Sequence, residues 1–140
     1  MAFTDLPLDI RDRPLTDARL VADVLDLVVM ESDRRRGALA VLLCDEHDRL
    51  RIPVVVDEPD DDASADKREQ VLSVIGSSME GTGSMLVALA RAQGLSVREG
   101  DRAWARAAVR ACADGPRLLG VHVITLDGSR QVPLGPVESS

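Results

Sequence analysis

Apolar positions recur along this chain at two spacings, which predict an alternation of helices and strands. Between residues 16 and 30 they fall three and four positions apart, which is typical of a helix with one buried face. A second helix is predicted after Asp66, and a third, Ala-rich helix over residues 97–113, with Asp66 and Ser96 as N-caps. Trp104 is predicted to anchor the third helix because it is the one large side chain on its apolar face.

Apolar runs between these helices predict strands. The runs at 39–44 and 84–90 are apolar almost throughout, which is typical of strands buried on both faces. The run at 50–56 contains Pro53, which cannot donate a hydrogen bond to a neighbouring strand. This strand is therefore predicted to lie at a sheet edge or to carry a bulge, while 84–90 is predicted to be central.

The last two strands are predicted at residues 118–125 and 129–134, around the strong hairpin-turn signal Asp127-Gly128. The predicted order is therefore α-β-β-α-β-α-β-β. It indicates one α/β (α+β) domain, with a mixed, mostly antiparallel sheet of about five strands and helices packed on it. We predict an irregular N-terminal arm, this single domain and a C-terminal tail at residues 1–14, 15–134 and 135–140.

Composition and charge argue against some classes of binding partner. The chain has 140 residues, a net charge of −7 and 1% aromatic residues. Modules that bind single-stranded nucleic acid stack bases on aromatic rings, and an acidic surface repels phosphate backbones, so we predict no nucleic-acid partner. No apolar run approaches the roughly 18 residues of a membrane span, and the first residues lack a signal-peptide pattern. We therefore predict no membrane partner and a cytoplasmic location.

Four short motifs follow one another along the chain. They are Leu42-Leu43-Cys44-Asp45-Glu46-His47-Asp48-Arg49-Leu50, Arg68-Glu69-Gln70-Val71, Gly100-Asp101-Arg102-Ala103, and Leu118-Leu119-Gly120-Val121 followed by Asp127-Gly128. In this order they resemble the JAB/MPN metalloprotease-like domain, in the version found in bacterial RadC-type proteins. The resemblance covers most of the chain, from Ala18 to Leu134. It implies a mixed sheet covered by helices, with zinc-binding histidines on the strand before the third motif.

The chain departs from this family at the metal-binding segment. A count back from Asp101 without gaps places Ala88 and Ala90 at the two histidine positions and Gly94 at the aspartate position. Zinc needs about three nitrogen, sulfur or carboxylate ligands, and these residues offer none. The resemblance thus implies a degenerate, non-catalytic copy without metal or cofactor. Its predicted role is association with a protein partner or with itself, as a homo-oligomer with a dimer favoured.

An alternative is a small-molecule-binding protein or a hydrolase that uses the chain's few reactive groups. Its candidate site lies around His122 and Cys112, with Thr125, Arg91 and Gln93 as further candidates. A Cys–His pair would supply a nucleophile, but no pattern in the sequence places the two side chains together. A third hypothesis, an acidic regulator that mimics the charge of nucleic acid, rests on the net charge alone.

Four other features of the sequence are more typical of structural roles than of functional sites. His47 is predicted in an exposed turn among acids, and the acidic run at 57–62 lacks the glycine and final glutamate of an EF-hand loop. That run is predicted as a solvated loop that discourages pairing of the edge strand. The glycine-rich segment at 80–84 is predicted as a helix end and turn. The arginines at 34–36 are predicted as a helix-end charge cluster, with an acidic partner or phosphate as the alternative.

Overall fold

The five predicted strands form one sheet. In the computed structural model, which describes residues 13–57, 64–78, 81–113 and 115–134, their bounds are β1 Ala38–Cys44, β2 Leu50–Asp57, β3 Ser84–Ala90, β4 Arg117–Thr125 and β5 Gly128–Gln131. The strand order is β2-β1-β3-β4-β5. β3 and β4 run parallel and the other neighbours run antiparallel, so the predicted mixed, mostly antiparallel sheet is confirmed.

Four helices accompany this sheet in the described residues. They are α1 Ala18–Val28, α2 Glu31–Arg36, α3 Ala65–Gly76 and α4 Glu99–Ala111. The prediction of one helix over residues 16–30 is wrong, because the helix ends at Val28 and a separate short helix begins at Glu31. The break keeps the Val29 side chain in the core and leaves its carbonyl oxygen to accept a hydrogen bond from Arg34.

Three other element boundaries differ from the prediction. Ser64 caps α3 instead of Asp66, because its hydroxyl accepts the Lys67 N–H. α4 begins at Glu99, two residues later than predicted, because the Asp101 carboxylate accepts the N–H of Arg98 at 2.7 Å. β5 ends at Gln131, before the predicted end at 134. The nearby Pro133 cannot extend a hydrogen-bonded ladder.

Two apolar cores pack on opposite faces of the sheet. On the α1 face, Leu42 and Leu86 pack with the apolar side of α1. On the α3/α4 face, Val41 and Val87 pack with both of those helices, and Trp104 anchors α4 as predicted. β1 and β3 are therefore buried on both faces, which confirms the prediction from their continuous apolar runs.

The edge position of β2 is also confirmed. Pro53 lies opposite Leu42 in the β1–β2 ladder, and a bulge interrupts that ladder between Leu43 and Cys44. Residues 1–12 of the predicted arm at 1–14 lie outside the described part of the chain. The tail at 135–140 and nearly all of the acidic run at 57–62 lie outside it too. None of the described helices is long and apolar enough to span a membrane.

Candidate functional site

A cleft of about 620 Å³ opens where β3 ends and α4 begins. β3, α4 and the parallel strand β4 form a strand–helix–strand crossover. In α/β sheets, ligands bind in crevices beyond the carboxyl ends of parallel strands, close to the N-terminus of the connecting helix. Gly37 and Ala38, at the start of β1, also line this cleft.

Arginine dominates the ionisable side chains of the cleft. Arg35 and Arg36 come from the end of α2, Arg91 follows β3, and Arg98 is the N-cap of α4. Asp101 is the one carboxylate among the described residues that line the cleft. These four arginines and one aspartate give a formal charge of +3, on a chain whose net charge is −7.

Arg91 holds the wall of the cleft in place. Its guanidinium donates to both carboxylate oxygens of Asp101, at 2.6 and 3.0 Å, and to the carbonyl oxygens of Gly94 and Ser96. Asp101 is buried, and two parallel charge-assisted hydrogen bonds of this kind are strong and directional. Arg91 therefore ties the loop between β3 and α4 to the first turn of the helix.

The other three guanidinium groups are held less firmly. Arg35 contacts Glu31 at 3.4 Å. Arg36 contacts Asp33 at 3.6 Å and Asp57 at 3.5 Å. Arg98 donates to the Gln93 carbonyl oxygen at 3.2 Å. Exposed ion pairs contribute about 0–1 kcal/mol because water screens them. An anion in the cleft can therefore compete with these carboxylates for the arginines.

The three consecutive arginines at 34–36 lie in two different environments. Arg34 is buried and donates to the carbonyl oxygens of Val29 at 3.2 Å and Thr125 at 3.1 Å, and to the Asp26 carboxylate at 3.0 Å. It joins α1 and α2 to the end of β4. The next two arginines line the cleft, so the run is more than the helix-end charge cluster that the sequence predicts.

The structure separates His122 from Cys112. His122 alternates along β4 with Val121 and Val123, which face α3 and α4, so its imidazole lies on the α1 face. There it lines a cavity of about 190 Å³ beside Gln131. Cys112 follows α4 and packs against the core on the opposite face. The sheet therefore lies between the two groups, and the arrangement forms no Cys112–His122 pair.

Burial also suppresses the reactivity of these groups. It raises the pKa of Cys112 to about 11 and the pKa of Cys44 to about 12. Burial likewise lowers the pKa of His122. Because the thiolate is the nucleophilic form of cysteine, burial disfavours the reactive form of both thiols in the folded protein.

The remaining candidates have contacts within the fold. The Thr125 hydroxyl accepts the N–H of Asp127 at 3.0 Å in the turn between β4 and β5. The Gln93 carbonyl oxygen accepts a hydrogen bond from Arg98, beside the cleft. Of the five candidates that the sequence nominates, Arg91 lines the cleft. The sequence does not single out Arg98, because an isolated arginine at a predicted helix start carries no signal of a binding role.

Residues 88–94, which the resemblance predicts to correspond to a degenerate metal site, border the same cleft. Ala88 and Ala90 lie on the α1 face of β3, and Ala90 lines the cleft. Gly94 has a φ of +94°, and a Cβ there would lie 2.5 Å from the Arg98 guanidinium. The His47 side chain is 64% exposed, in the turn after β1. In the parts of the chain that the structure describes, no three His, Cys, Asp or Glu side chains are grouped to hold a metal.

Comparison with known proteins assigns no function to the cleft. No family model, curated protein or solved structure matches this chain. The resemblance to the JAB/MPN domain therefore stays a prediction that rests on the order of four motifs. Because one fold supports many functions, function has to be inferred from the chemistry of the cleft.

Proposed function

We propose that this chain is a non-catalytic, cytoplasmic binding domain whose ligand is a small anion held in the arginine cleft. The observation that carries the proposal is the convergence of Arg35, Arg36, Arg91 and Arg98 on one cleft of a net acidic protein. Planar guanidinium groups bind carboxylate and phosphate oxygens in pairs. The cleft volume of about 620 Å³ is within the usual range for small-molecule sites.

The four arginines have different roles in this proposal. Arg91 is committed to Asp101 and two backbone carbonyls, so it positions the loop, and Asp101 compensates its charge. The side chains of Arg35 and Arg36 are more than half exposed, and Arg98 has a backbone partner, so these three are the ligand-contacting groups. When the anion binds, it replaces the carboxylate partners of Arg35 and Arg36 and the Gln93 carbonyl oxygen at Arg98.

The ionisable groups of the cleft support binding rather than catalysis. Arginine keeps its proton at physiological pH and so does not act as a general base. The Asp101 carboxylate already accepts hydrogen bonds from Arg91 and from the N–H of Arg98. Neither His122 nor either cysteine is among the described residues that line the cleft.

Trp104 provides a direct test, because it is the chain's one tryptophan and lines the cleft. Titration with inorganic phosphate, pyrophosphate or citrate is expected to give a saturable change in its fluorescence for at least one of the three. Added salt should weaken the binding, because salt screens the exposed guanidinium groups. Arg35→Gln and Arg98→Gln should each raise the Kd about tenfold, by loss of a charge-assisted hydrogen bond.

Arg102→Gln is the matched control. Arg102 lies on α4 one turn after Arg98, is exposed and is not among the described residues that line the cleft. It removes the same charge, so a Kd within about twofold of the wild-type value is expected if contact rather than net charge decides binding. An equal loss in Arg102→Gln, or no saturable change with any of the three anions, would contradict the proposal.

A further inference from the structure

A second cavity lies between the N-terminus of α1 and the strands β4 and β5. Its volume is about 190 Å³, and its polar lining residues are His122, Gln131 and Thr16. The rest of the described lining is apolar and consists of Leu15, Ala18, Val21, Leu86 and Leu119. None of these described residues also lines the arginine cleft, so this His122 cavity is a separate place in the fold.

The imidazole of His122 is buried without a hydrogen-bond partner. The residue is 8% exposed, and neither of its ring nitrogens makes a hydrogen bond to another residue that the structure describes. Buried polar side chains are nearly always hydrogen-bonded, either to protein or to a bound molecule. Because His122 lines the cavity, its ring is available to a molecule that occupies this space.

Gln131 and the missing side chain of Gly120 give the His122 cavity a defined polar end. Gln131 lies directly opposite His122 in the β4–β5 ladder, so both side chains are on the same face of the sheet. A Cβ at Gly120 would lie 3.3 Å from His122 Nε2 and 3.4 Å from Gln131 Nε2. Both nitrogens therefore approach one point, which glycine leaves open. The amide nitrogen is a donor, and a neutral imidazole can carry its proton on Nε2, so the pair fits an acceptor with two oxygens.

The N-terminus of α1 favours negative charge at this cavity. Thr16 and Ala18, the neighbours of the N-cap Asp17, both line it. The first N–H groups of a helix have no partner within the helix, and the aligned peptide dipoles attract an anion. The Asp17 carboxylate accepts the Arg19 N–H at 2.8 Å and is exposed, so solvent screens its opposing charge.

We propose that the His122 cavity binds a short-chain monocarboxylate. The carboxylate accepts hydrogen bonds from His122 and Gln131, and the alkyl chain packs against the apolar lining. A volume of about 190 Å³ is several times the roughly 30 Å³ of one water molecule. It is also smaller than the roughly 300–1,000 Å³ of sites for drug-sized ligands, so it fits a carboxylate of a few carbon atoms.

The lining of the His122 cavity also distinguishes between classes of anion. His122 is its one ionisable side chain among the described residues, and no described arginine or lysine lines it. A phosphate ester would bring close to two negative charges into this setting, whereas a carboxylate brings one. The apolar lining in turn favours an alkyl carboxylate over a fully polar anion.

NMR of the histidine rings in the full chain tests the proposal at constant pH and ionic strength. Sodium butyrate is expected to give a saturable shift of the His122 resonances and no shift at His47, whose side chain is 64% exposed in the turn after β1. Acetate should bind about tenfold more weakly, because it lacks two methylene groups that pack on the apolar lining. Butyramide has nearly the same shape without the charge and should bind about fivefold more weakly than butyrate.

Gln131→Glu tests the polar end of the cavity with little change of shape. It replaces an amide donor with a like charge and should raise the butyrate Kd about tenfold or more. Gln70→Glu is the matched control, since it makes the same change at an exposed position of α3, on the other side of the sheet. The control should keep the Kd within about twofold of the wild-type value.

Arg98→Gln separates this cavity from the arginine cleft. It should weaken anion binding in the cleft and leave the His122 response to butyrate unchanged, so a dependence on Arg98 would contradict the proposal. Absence of a saturable His122 shift with butyrate would show that the cavity holds water only, and would overturn it. Equal binding of butyramide and butyrate, or an unaltered response in Gln131→Glu, would overturn it as well.

Discussion

At the scale of single residues, the two histidines of the chain occupy opposite environments. His122 is 8% exposed on β4, whereas the side chain of His47 is 64% exposed in the turn after β1. Desolvation lowers the pKa of His122 in the folded state. As pH falls, the unfolded chain therefore takes up a proton at this position before the folded chain does, and folding becomes less favourable.

We expect this histidine to make the free energy of unfolding decrease as pH falls through the ordinary histidine pKa of about 6.5, until the lower pKa of the folded state is reached. His122→Gln should reduce that loss between about pH 7.5 and about pH 5.5, by up to about 1.4 kcal/mol per pH unit. Urea denaturation across this range measures the effect. A His122→Gln curve with the same pH dependence as the wild type would refute the assignment.

At the scale of elements, Gly83 shows how closely the start of β3 approaches the turn after β1. A Cβ at this position would lie 2.5 Å from the Glu46 Cα and 2.6 Å from the Asp45 carbonyl oxygen, both backbone atoms. The Gly83 N–H donates to the Cys44 carbonyl oxygen at 2.9 Å, so the two segments are held together. The part of the glycine-rich segment that the structure describes thus also serves close packing.

Two glycine-to-alanine changes test this packing. Gly83→Ala should lower the free energy of unfolding by about 1–3 kcal/mol, because a methyl group there requires backbone movement. Gly100 lies in α4 with open space where its Cβ would be, so Gly100→Ala should raise the free energy of unfolding by about 0.5–1 kcal/mol. Equilibrium denaturation of both variants measures the difference, and a neutral Gly83→Ala would contradict the close approach.

At the scale of the whole molecule, the two cysteines lie at different depths. Cys44 is fully buried in β1, a strand covered on both faces by the two cores. Cys112 follows the last turn of α4 and is partly exposed. Exposure of Cys44 therefore requires the sheet to open, whereas fraying of one helix end is enough to expose Cys112.

A thiol reagent under native conditions should label Cys112 well before Cys44. In the Cys112→Ser variant, Cys44 should react slower than a free thiol by a factor of roughly a thousand or more, because its reaction requires global unfolding. Its rate should increase with urea in parallel with the global unfolding transition. Rapid labelling of Cys44 in native buffer would show that β1 is not enclosed as described.

The hydrophobic pattern by itself determined the α/β class, the central strands and the edge strand with Pro53. These features can be predicted from local sequence. A strand that is covered on both faces consists of apolar residues, and proline, which has no N–H to donate, occurs in strands at a sheet edge or at a bulge. The same local signals misplaced helix starts, since Asp101 acts as a cap only where the fold leaves the N–H of Arg98 within its reach.

The tertiary structure alone decided where the chain's chemistry lies. Arg35 is far in sequence from Arg91 and Arg98, and the order of the strands brings them to one cleft. The sheet in turn separates His122 from Cys112, a pair that the sequence left open. Convergence and separation of this kind depend on strand order and on which face each side chain occupies, and no local pattern of residues specifies both.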